Sequence, residues 1–499
     1  MRIMLVRAPV PRHTIGLKHL MVCEPLELEY VAAGLRGHDV EIVDLILERG
    51  FERRLRRFGP QVVGTSSYIT GVNEVIKLCR TAKRWDPTVR TVVGGVHASR
   101  APEDYADPAV DCIVPGDGTT ILPDIVAALE HGRPLEEVPG LVLPGEGGLR
   151  RTPARAYMPH PDSLPLPRRD LVAHLRSRYY YLFHQPVATL KTAWGCWYKC
   201  NFCFTWRITD GLPYARSPQS IADELAQIDC EHVYIVDDIF LIHPTRLEEL
   251  ARLLRERGIR KKYLVYARAD FLAEHEEVVA AWAALGLQAV FIGLEAATDP
   301  ELDALDKRAT VDHNRRAIQV LRRHGIDVYG SLIVRPDYTR ADWQRLKRFI
   351  DENDLYFLNI SPLTPLPGTL IWEQYREQLI VSRRAHGLWD LSHTVLPTRQ
   401  PLKTFYRSLL GVYAHACFNP WRARRLKLKT VPPILSWKFF RLWLGALKIA
   451  RQFLEAHRHH HPRELKQAED RGPELPAAPG PLVPWNETPV PKKATRRAG

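Results

Sequence analysis

The sequence predicts an α/β protein in which a doubly wound parallel sheet is followed by a partial parallel barrel of six βα units and a C-terminal helical extension. Three observations predict this architecture. Short apolar runs alternate with amphipathic segments over the first 130 residues, a proline-rich passage interrupts the pattern, and the alternation resumes near residue 187 for six further units. Such alternation is typical of parallel sheets that are covered by helices.

The length and composition are those of an ordinary globular chain. It has 499 residues, 45% of them hydrophobic and 25% charged, which excludes collagen, low-complexity and wholly disordered proteins. Eight cysteines are too few for a disulfide scaffold, and the apolar run at residues 3–6 is too short for a signal peptide. We therefore expect a protein of the reducing cytoplasm.

The first domain is expected over residues 1–150. Its strands are predicted at residues 3–6, 40–45, 61–65, 90–96 and 112–115, and helical patterns at 26–35, 72–85 and 121–129 separate them. Ligands of such sheets bind beyond the carboxyl ends of the strands.

Five prolines between positions 153 and 167 predict an interdomain linker over residues 151–186, because proline interrupts helices and central strands. A barrel is then expected over residues 187–398. Its strands are predicted at residues 188–193, 233–237, 263–269, 289–295, 328–334 and 357–362. Residues 278–294 are almost wholly apolar, but Gly286 divides them into a helix end and a buried strand, so we predict no membrane span there.

Three cysteines give the strongest chemical signal. Cys196, Cys200 and Cys203 form a CxxxCxxC motif in TAWGCWYKCNFCF (192–204), directly after the first predicted barrel strand. Three thiolates on a loop can hold three irons of a [4Fe-4S] cluster and leave the fourth iron open to a ligand that is not protein. The alternative is a structural zinc site with His184 or Cys230 as its fourth ligand.

With Phe202 before the last cysteine, this motif resembles the radical S-adenosylmethionine superfamily. The resemblance runs from about residue 187 to residue 369 and includes VYIVDDIF, YARAD, FIGLEAATD and PLTPLPGT at successive strand ends. It implies that the open iron binds S-adenosylmethionine and that one electron from the cluster cleaves it to a 5'-deoxyadenosyl radical. It also implies a flavodoxin- or ferredoxin-type electron donor.

Charged residues at the strand ends are the candidate contacts of S-adenosylmethionine. Asp237 and Asp238 are expected to bind its ammonium group or ribose hydroxyls. Arg268 is expected to pair with its carboxylate, and Glu295 to bind its ribose. An acid at a strand end can equally cap the next helix, and that alternative stays open here.

Three segments of the first domain lie at predicted carboxyl edges, namely GTSSYITG (64–71), VGGVHASRAPED (93–104) and VPGDGT (114–119). Glycines there let a flat ligand approach the backbone, and hydroxyls can bind its edge. The segments resemble the cobalamin-binding domain that precedes the barrel in one branch of the same superfamily. The resemblance implies cobalamin contacts from Thr65, Ser66, Gly94, Gly95, His97, Gly116 and Asp117.

The chain departs from that cobalamin-binding pattern at two places. Ile46, in DLILER (44–49), replaces the histidine of the signature DxHxxG, so we expect no histidine from this position below cobalt. GDGT (116–119) stands where relatives often have GEGE. A sheet that serves only as a ligand-free scaffold is the alternative.

The C-terminal part is predicted to be a basic, aromatic helical region over residues 399–461 and a disordered tail over residues 462–499. Interfacial helices combine aromatic rings with cations, so we expect peripheral contact with the inner face of the cell membrane. A structural cap on the barrel is the alternative, and nucleic acid binding is not expected because bulky apolar residues separate the cations. The aromatic residues are Trp421, Trp437, Phe439, Phe440, Trp443 and Phe453.

A cobalamin domain together with a radical-generating barrel implies methyl transfer from methylcobalamin to an unactivated carbon. Residues 6–35 resemble the hopanoid C-3 methylase group, which implies a hopanoid lipid as substrate. Methylation or ring closure of a tetrapyrrole, methylation of a natural product, and a non-catalytic cobalamin or redox sensor stay open as alternatives. We assign no role to His13, His19 and Cys23.

Overall fold

A computed structural model describes residues 1–145, 148–155, 159–417 and 436–460. Two parallel sheets dominate it, and both are flanked by helices. The strands are β1 Arg2–Arg7, β2 Met21–Val22, β3 Asp39–Asp44, β4 Val62–Ser66, β5 Arg90–Gly94, β6 Cys112–Ile113, β7 Val142–Gly145, β8 Gly148–Arg151, β9 Tyr180–Tyr181, β10 Val187–Leu190, β11 Ala193–Trp194, β12 Tyr214–Ala215, β13 His232–Ile235, β14 Lys262–Arg268, β15 Leu287–Glu295, β16 Asp327–Val334 and β17 Phe357–Pro362.

The α-helices cover the sheets, and several short 3₁₀ turns connect them. The helices are α1 Leu26–Gly34, α2 Phe51–Phe58, α3 Val72–Trp85, α4 Val96–Arg100, α5 Gly118–Glu130, α6 Thr205–Ile208, α7 Pro218–Gln227, α8 Pro244–Glu256, α9 Ala269–Glu274, α10 Glu276–Ala284, α11 Asp299–Ala304, α12 Val311–Arg323, α13 Arg340–Glu352, α14 Leu370–Tyr375, α15 Leu402–Cys417 and α16 Trp437–Glu455.

The first sheet has the strand order β3-β1-β4-β5-β6-β7-β8 and is parallel from β3 to β6. The five strands predicted for this region are confirmed as β1, β3, β4, β5 and β6. The antiparallel hairpin β7–β8 was not predicted. The strand order reverses at β1, between β3 and β4, which opens the crevice where doubly wound sheets bind ligands.

The second sheet has the order β10-β13-β14-β15-β16-β17, and every neighbouring pair is parallel. The prediction of a partial six-stranded barrel is therefore confirmed. One face packs under the helices around a large apolar core. The other face, called the inner face below, shares a second core with residues of the first sheet, including Ile3 and Leu5 of β1.

The apolar run at residues 278–294 does not form one long helix. Helix α10 ends at Ala284, Gly286 has a φ of +104°, and β15 begins at Leu287. Across the described ranges of the chain, no helix is long and apolar enough to cross a membrane.

The passage between the sheets is held tightly by buried charges. Arg169 lies in a 3₁₀ helix that spans Arg169–Arg178, and its Nη1 is 2.5 Å from Oε1 of Glu24. The same oxygen of Glu24 accepts a hydrogen bond of 2.5 Å from the backbone of Thr189 in β10. Since the Glu24 side chain is fully buried, this network fixes the first sheet, the connecting passage and the barrel to one another.

The C-terminal region contributes α15 and α16. Helix α16 packs against the N-terminal loop at Gly445, where a Cβ would collide with the backbone carbonyl of His19. Residues 418–435 lie outside the described residues, and the expectations for Trp421 and the cations around it fall there. The predicted disordered tail lies outside the described residues as well.

Candidate functional site

The three cysteines lie on the loop between β11 and α6, called the cysteine loop below. Gly195 begins it with a φ of +82°, and a Cβ there would collide with Thr209. Its backbone N–H donates to Oδ2 of Asp238 at 2.9 Å. The loop therefore starts in a conformation that favours glycine, held by the residue that follows β13.

Asp237 supports this loop from beneath. Its side chain is buried, and Oδ1 accepts hydrogen bonds from the backbone N–H groups of Thr192 at 2.6 Å and Ala193 at 3.1 Å. The hydroxyl of Thr192 donates to Oδ2. The carboxylate thus holds the chain just before the cysteine loop, and its expected contact with a ligand stays a prediction. Asp238 is exposed, and its Oδ2 lies 3.5 Å from Nζ of Lys191.

The three thiols are not gathered as closely as the ligands of one zinc ion. Three thiolates on one zinc ion, each about 2.3 Å from it, are about 3.8 Å apart. The three sulfur atoms do not all lie within 4.8 Å of one another, since the one such group found among the described residues contains no cysteine. His184 is also paired elsewhere, with Nδ1 3.2 Å from Nδ1 of His232 at the opposite, amino end of the barrel strands. The zinc alternative therefore finds no support here.

Burial raises the pKa of all three thiols, that of Cys196 to about 11. At Cys200 the positive charges of Lys307 and Arg268 oppose this effect. A thiolate is consequently stable at this site when a cation holds it.

Arg268, at the end of β14, connects the cysteine loop to the next strands. Its Nη1 lies 3.8 Å from Sγ of Cys200, and its guanidinium carbon lies 3.6 Å from the centre of the Tyr198 ring. The side chain also donates to Asp270 and to the backbone carbonyl of Lys307. Burial alone lowers the pKa of Arg268, but the hydrogen bonds that Arg268 donates to Asp270 and the negative charge of Asp270 outweigh it and raise the pKa.

Glu295 ends β15 in a left-handed conformation, with a φ of +59°. Its Oε1 accepts a hydrogen bond of 2.7 Å from Nζ of Lys307, and both side chains are buried. A non-glycine residue held in this conformation is a strained position of the kind that concentrates at functional sites. The structure thus brings Cys200, Arg268 and Glu295 together through Lys307.

Phe202 is half-buried between the cysteine loop and the region that follows the barrel. It packs against an apolar group that includes Ile371, Trp389 and Leu396. This packing holds the second half of the cysteine loop in place.

At the carboxyl edge of the first sheet, Thr65 and Ser66 end β4. The hydroxyl of Thr65 is buried and finds no hydrogen-bond partner among the described residues. Gly94 ends β5, and Gly95 follows with a φ of +102°, where a Cβ would come within 3.0 Å of the backbone of Ser67. An unpaired buried hydroxyl next to a glycine cradle indicates a missing ligand at this edge.

Two residues of the same edge have protein partners instead. Asp117 caps α5, accepting hydrogen bonds from the backbone N–H groups of Thr119 and Thr120, while Gly116 lies in the loop just before it. His97 is buried in α4, and its Nε2 lies 2.7 Å from Oδ2 of Asp104. Both residues thus have protein partners, and their expected contacts with cobalamin stay predictions.

Tyr68 was not singled out by the sequence, although it stands only three residues after Thr65. Its side chain is 69% exposed, yet burial raises its pKa to about 12, helped by the negative charges of Glu27 and Asp238. We infer from these two facts that the side chain projects into a hollow enclosed by the protein. Because Glu27 begins α1 and Asp238 follows a barrel strand, this hollow joins the edges of the two sheets.

The residues present fit an iron–sulfur cluster and a corrin. Three thiols on one loop suit an iron–sulfur cluster, because they can hold three of its irons, and the cradle beside Thr65 suits a flat ligand.

Comparisons with known proteins agree with this geometry. Residues 12–126 match the family model of the B12 binding domain, and residues 191–350 match that of the radical SAM superfamily. A relative in Methylococcus capsulatus, named hopanoid C-3 methylase, is 34% identical over 409 residues, which cover 80% of this chain and 78% of the relative.

Two solved structures share the fold. One is the cobalamin-dependent S-adenosylmethionine radical enzyme OxsB, with aqua-cobalamin and S-adenosylmethionine bound, at a TM-score of 0.63 and 15% identity over 94% of this chain and 81% of that one. The other is the radical S-adenosylmethionine methyltransferase TsrM from Kitasatospora setae, with cobalamin and a [4Fe-4S] cluster bound, at a TM-score of 0.63 and 18% identity over 94% of this chain and 100% of that one.

The family matches cover the same two sheets whose edges face each other across the hollow, and the fold neighbours span almost the whole chain. The cofactors of the family are a [4Fe-4S] cluster, S-adenosylmethionine and cobalamin. The chain belongs to the cobalamin-binding radical S-adenosylmethionine family and is a methyltransferase of that family.

Proposed function

We propose that this methyltransferase acts on C-3 of a hopanoid lipid. The observation that carries the proposal is the 34% identity to a hopanoid C-3 methylase across most of both chains. That alignment covers 80% of this chain, which is more than the two family-model matches together. The substrate of that relative is therefore the first candidate here.

An aromatic belt lines the inner face of the barrel. Tyr266, Phe291, Tyr329 and Phe357 are register partners on four neighbouring strands. Their successive ring centres are 4.9, 5.0 and 4.7 Å apart. Tyr181 of β9 packs on Phe291 and Tyr329, with ring centres 5.0 and 6.3 Å away, so the belt is covered by the protein and belongs to the core.

We infer the following roles at the two sites. The cofactors, when bound, supply the radical that removes a hydrogen atom and the methyl group that replaces it. Asp237 and Asp117 act as positioning residues, one for the cysteine loop and the other for α5. The proposed cluster ligands are Cys196, Cys200 and Cys203, the proposed S-adenosylmethionine contacts are Phe202, Asp238, Arg268 and Glu295, and the proposed cobalamin contacts are Thr65, Ser66, Gly94, Gly95 and Gly116.

The outer side of the cysteine loop suits an acidic electron donor of the flavodoxin or ferredoxin type. Trp197 is 40% exposed there, and Lys199 and Arg207 are exposed beside it. An exposed apolar side chain surrounded by cations favours binding to an acidic protein surface. Trp197 and Lys199 also lie next to the proposed cluster ligands, which gives an electron a short path.

Helix α16 supports peripheral attachment to a membrane. Trp437, Phe440, Trp443 and Leu447 recur every three or four residues along it and are between 44% and 71% exposed. Four large apolar side chains on one solvent-facing stripe are typical of an interfacial helix. Lys438 and Arg441 instead donate to backbone carbonyls at residues 185 and 182, so those two cations hold the helix to the protein.

We also propose the division of the chain that was inferred from its sequence. The first domain covers residues 1–150, the linker 151–186, the barrel 187–398 and the basic aromatic region 399–461. Strand β8 ends at Arg151, directly at the first of these boundaries.

The proposed reaction is tested by anaerobic incubation of the reconstituted protein with S-adenosylmethionine, a reductant, methylcobalamin and diploptene, followed by mass spectrometry. We expect 5'-deoxyadenosine together with a hopanoid that has gained one methyl group. Cys200→Ala should give neither product, whereas Cys79→Ala, at a buried cysteine of helix α3, should give both. Deoxyadenosine without methylated diploptene would overturn the substrate, and methylation of a tetrapyrrole under the same conditions would replace it.

A further inference from the structure

Three ligating side chains meet where the first sheet contacts the region that follows the barrel. His97 lies in α4, Asp104 in the 3₁₀ helix Pro102–Tyr105, and His386 begins the 3₁₀ helix His386–Leu388. One ligand atom from each lies within 4.8 Å of the other two. These three residues are called the interdomain triad below.

The atoms of the triad point toward one another. Nε2 of His97 is 2.7 Å and Nε2 of His386 is 3.4 Å from the same carboxylate oxygen, Oδ2 of Asp104. The exposed fractions of the three side chains are 8%, 5% and 9% for His97, His386 and Asp104. The triad is thus closed to bulk solvent while its nitrogen and oxygen atoms converge.

His386 has an unpaired nitrogen in this closed space. Nε2 finds no hydrogen-bond partner among the residues that the structure describes, and it is buried. On the other side of the ring, Nδ1 lies 3.3 Å from Oδ1 of Asn73. When Nδ1 carries the proton and donates it in a hydrogen bond to that amide oxygen, Nε2 is unprotonated and its lone pair is aimed at Asp104. Metal-binding histidines have this arrangement.

The local charge favours a cation. Asp104 places one carboxylate oxygen between the two imidazoles. Arg383 is 2.5 Å from Glu103 and 3.7 Å from Asp104, so one guanidinium faces two carboxylates. The group therefore carries a negative charge when both imidazoles are neutral.

We propose that His97, Asp104 and His386 bind one zinc ion. Zinc is held by imidazole nitrogen and carboxylate oxygen at about 2.0–2.2 Å, which places neighbouring ligand atoms about 3.3 Å apart. The distance from Asp104 to His386 already matches this spacing, and His97 needs to withdraw by about 0.6 Å to reach it. The ion would connect α4, which follows the glycine cradle, to the 3₁₀ helix His386–Leu388.

The site shares no ligand with the cysteine loop. Its ligands lie in α4 and in the 3₁₀ helices Pro102–Tyr105 and His386–Leu388, and none of them is a cysteine. Zinc binding can therefore be measured separately from the iron–sulfur cluster.

The test is equilibrium dialysis of the cluster-containing protein against zinc chloride, with zinc and iron measured by mass spectrometry. We expect one zinc ion per chain in addition to the iron of the cluster. Asp104→Asn and His386→Gln should each weaken zinc binding at least about tenfold without changing the iron content. The matched control is His393→Gln, since His393 is also buried and bonded to an aspartate but lies outside the triad.

A variant with Cys196, Cys200 and Cys203 all changed to alanine separates the two metal sites. It should lose its iron and still bind one zinc ion. A wild-type protein that retains no zinc would overturn the proposal and leave a purely hydrogen-bonded triad. The proposal would also be overturned if the triple cysteine variant lost its zinc while Asp104→Asn kept it. Circular dichroism and gel filtration of each variant identify any that has failed to fold.

Discussion

The guanidinium of Arg268 lies 3.8 Å from the sulfur of Cys200, inside a pocket where both side chains are buried. A cationic hydrogen bond to a cluster ligand stabilises the reduced, more negative state of the cluster. The contact therefore couples the end of β14 to the redox chemistry of the proposed cluster.

Replacing Arg268 with methionine should lower the reduction potential of the cluster on the order of tens of millivolts, because the variant removes the positive charge and the hydrogen bond. A redox titration followed by electron paramagnetic resonance measures this shift. Arg268→Lys keeps the charge and should move the potential less. Equal potentials in the wild type and the methionine variant would contradict the coupling.

Asp237 should behave as a positioning residue. Asp237→Ala leaves the buried N–H groups of Thr192 and Ala193 without an acceptor, so we expect the free energy of unfolding to fall by about 2–4 kcal/mol. Asp237→Asn keeps an acceptor and should cost less than about 1 kcal/mol. Urea denaturation measures both values.

The same asparagine variant distinguishes the two roles considered for Asp237. A positioning residue predicts nearly unchanged affinity for S-adenosylmethionine in Asp237→Asn, as measured by calorimetry. A loss of affinity greater than about tenfold would instead show a direct contact with the ammonium group.

Thr65→Val should have opposite effects on the free and the cobalamin-bound protein. The buried hydroxyl of Thr65 is unpaired, so its removal should raise the free energy of unfolding of the cobalamin-free protein by about 1 kcal/mol. If the hydroxyl binds cobalamin, the variant should bind cobalamin about tenfold more weakly, measured by the visible spectrum during titration. Unchanged cobalamin affinity would remove Thr65 from the site.

His232 should make the protein less stable in mild acid. Burial lowers its pKa to about 4, below its value in the unfolded chain, so the folded state resists protonation. The stability that depends on the neutral ring is present above about pH 6.5 and is lost as the pH falls, by about 2 kcal/mol at pH 5. Urea denaturation at pH 7 and pH 5 should show a smaller difference for His232→Gln than for the wild type. His131→Gln, at an exposed histidine, should leave the difference unchanged.

Charges on the exposed stripe of α16 should abolish membrane attachment. Phe440→Glu combined with Trp443→Glu should weaken binding to vesicles of mixed neutral and anionic phospholipid at least about tenfold, since each ring contributes about 1.5–3 kcal/mol when buried in lipid. Co-sedimentation measures the binding. Leu370→Glu, at a residue that is 46% exposed on α14, is the matched control. Wild-type protein that does not sediment with these vesicles would contradict the attachment.

The sequence by itself determined the order of the elements and the position of the cysteine loop. Apolar alternation identified the strands of both sheets because buried parallel strands need continuous apolar residues, and that need is local in the chain. The hairpin β7–β8 was missed because its strands are short and mostly exposed, so they carry little apolar pattern. CxxxCxxC was visible because all three ligands lie on one loop.

Only the tertiary structure decided which polar side chains have atoms without a partner in the protein. Asp237 and Asp238 are adjacent in the sequence and were given one role, yet Asp237 is buried under Thr192 while Asp238 is exposed. His97 contacts His386, which is about 290 residues away in the sequence. The surroundings of Tyr68 were visible only in the folded protein. Hydrogen-bond partners, burial and enclosed space depend on contacts between distant parts of the chain, and a linear pattern contains no measure of them.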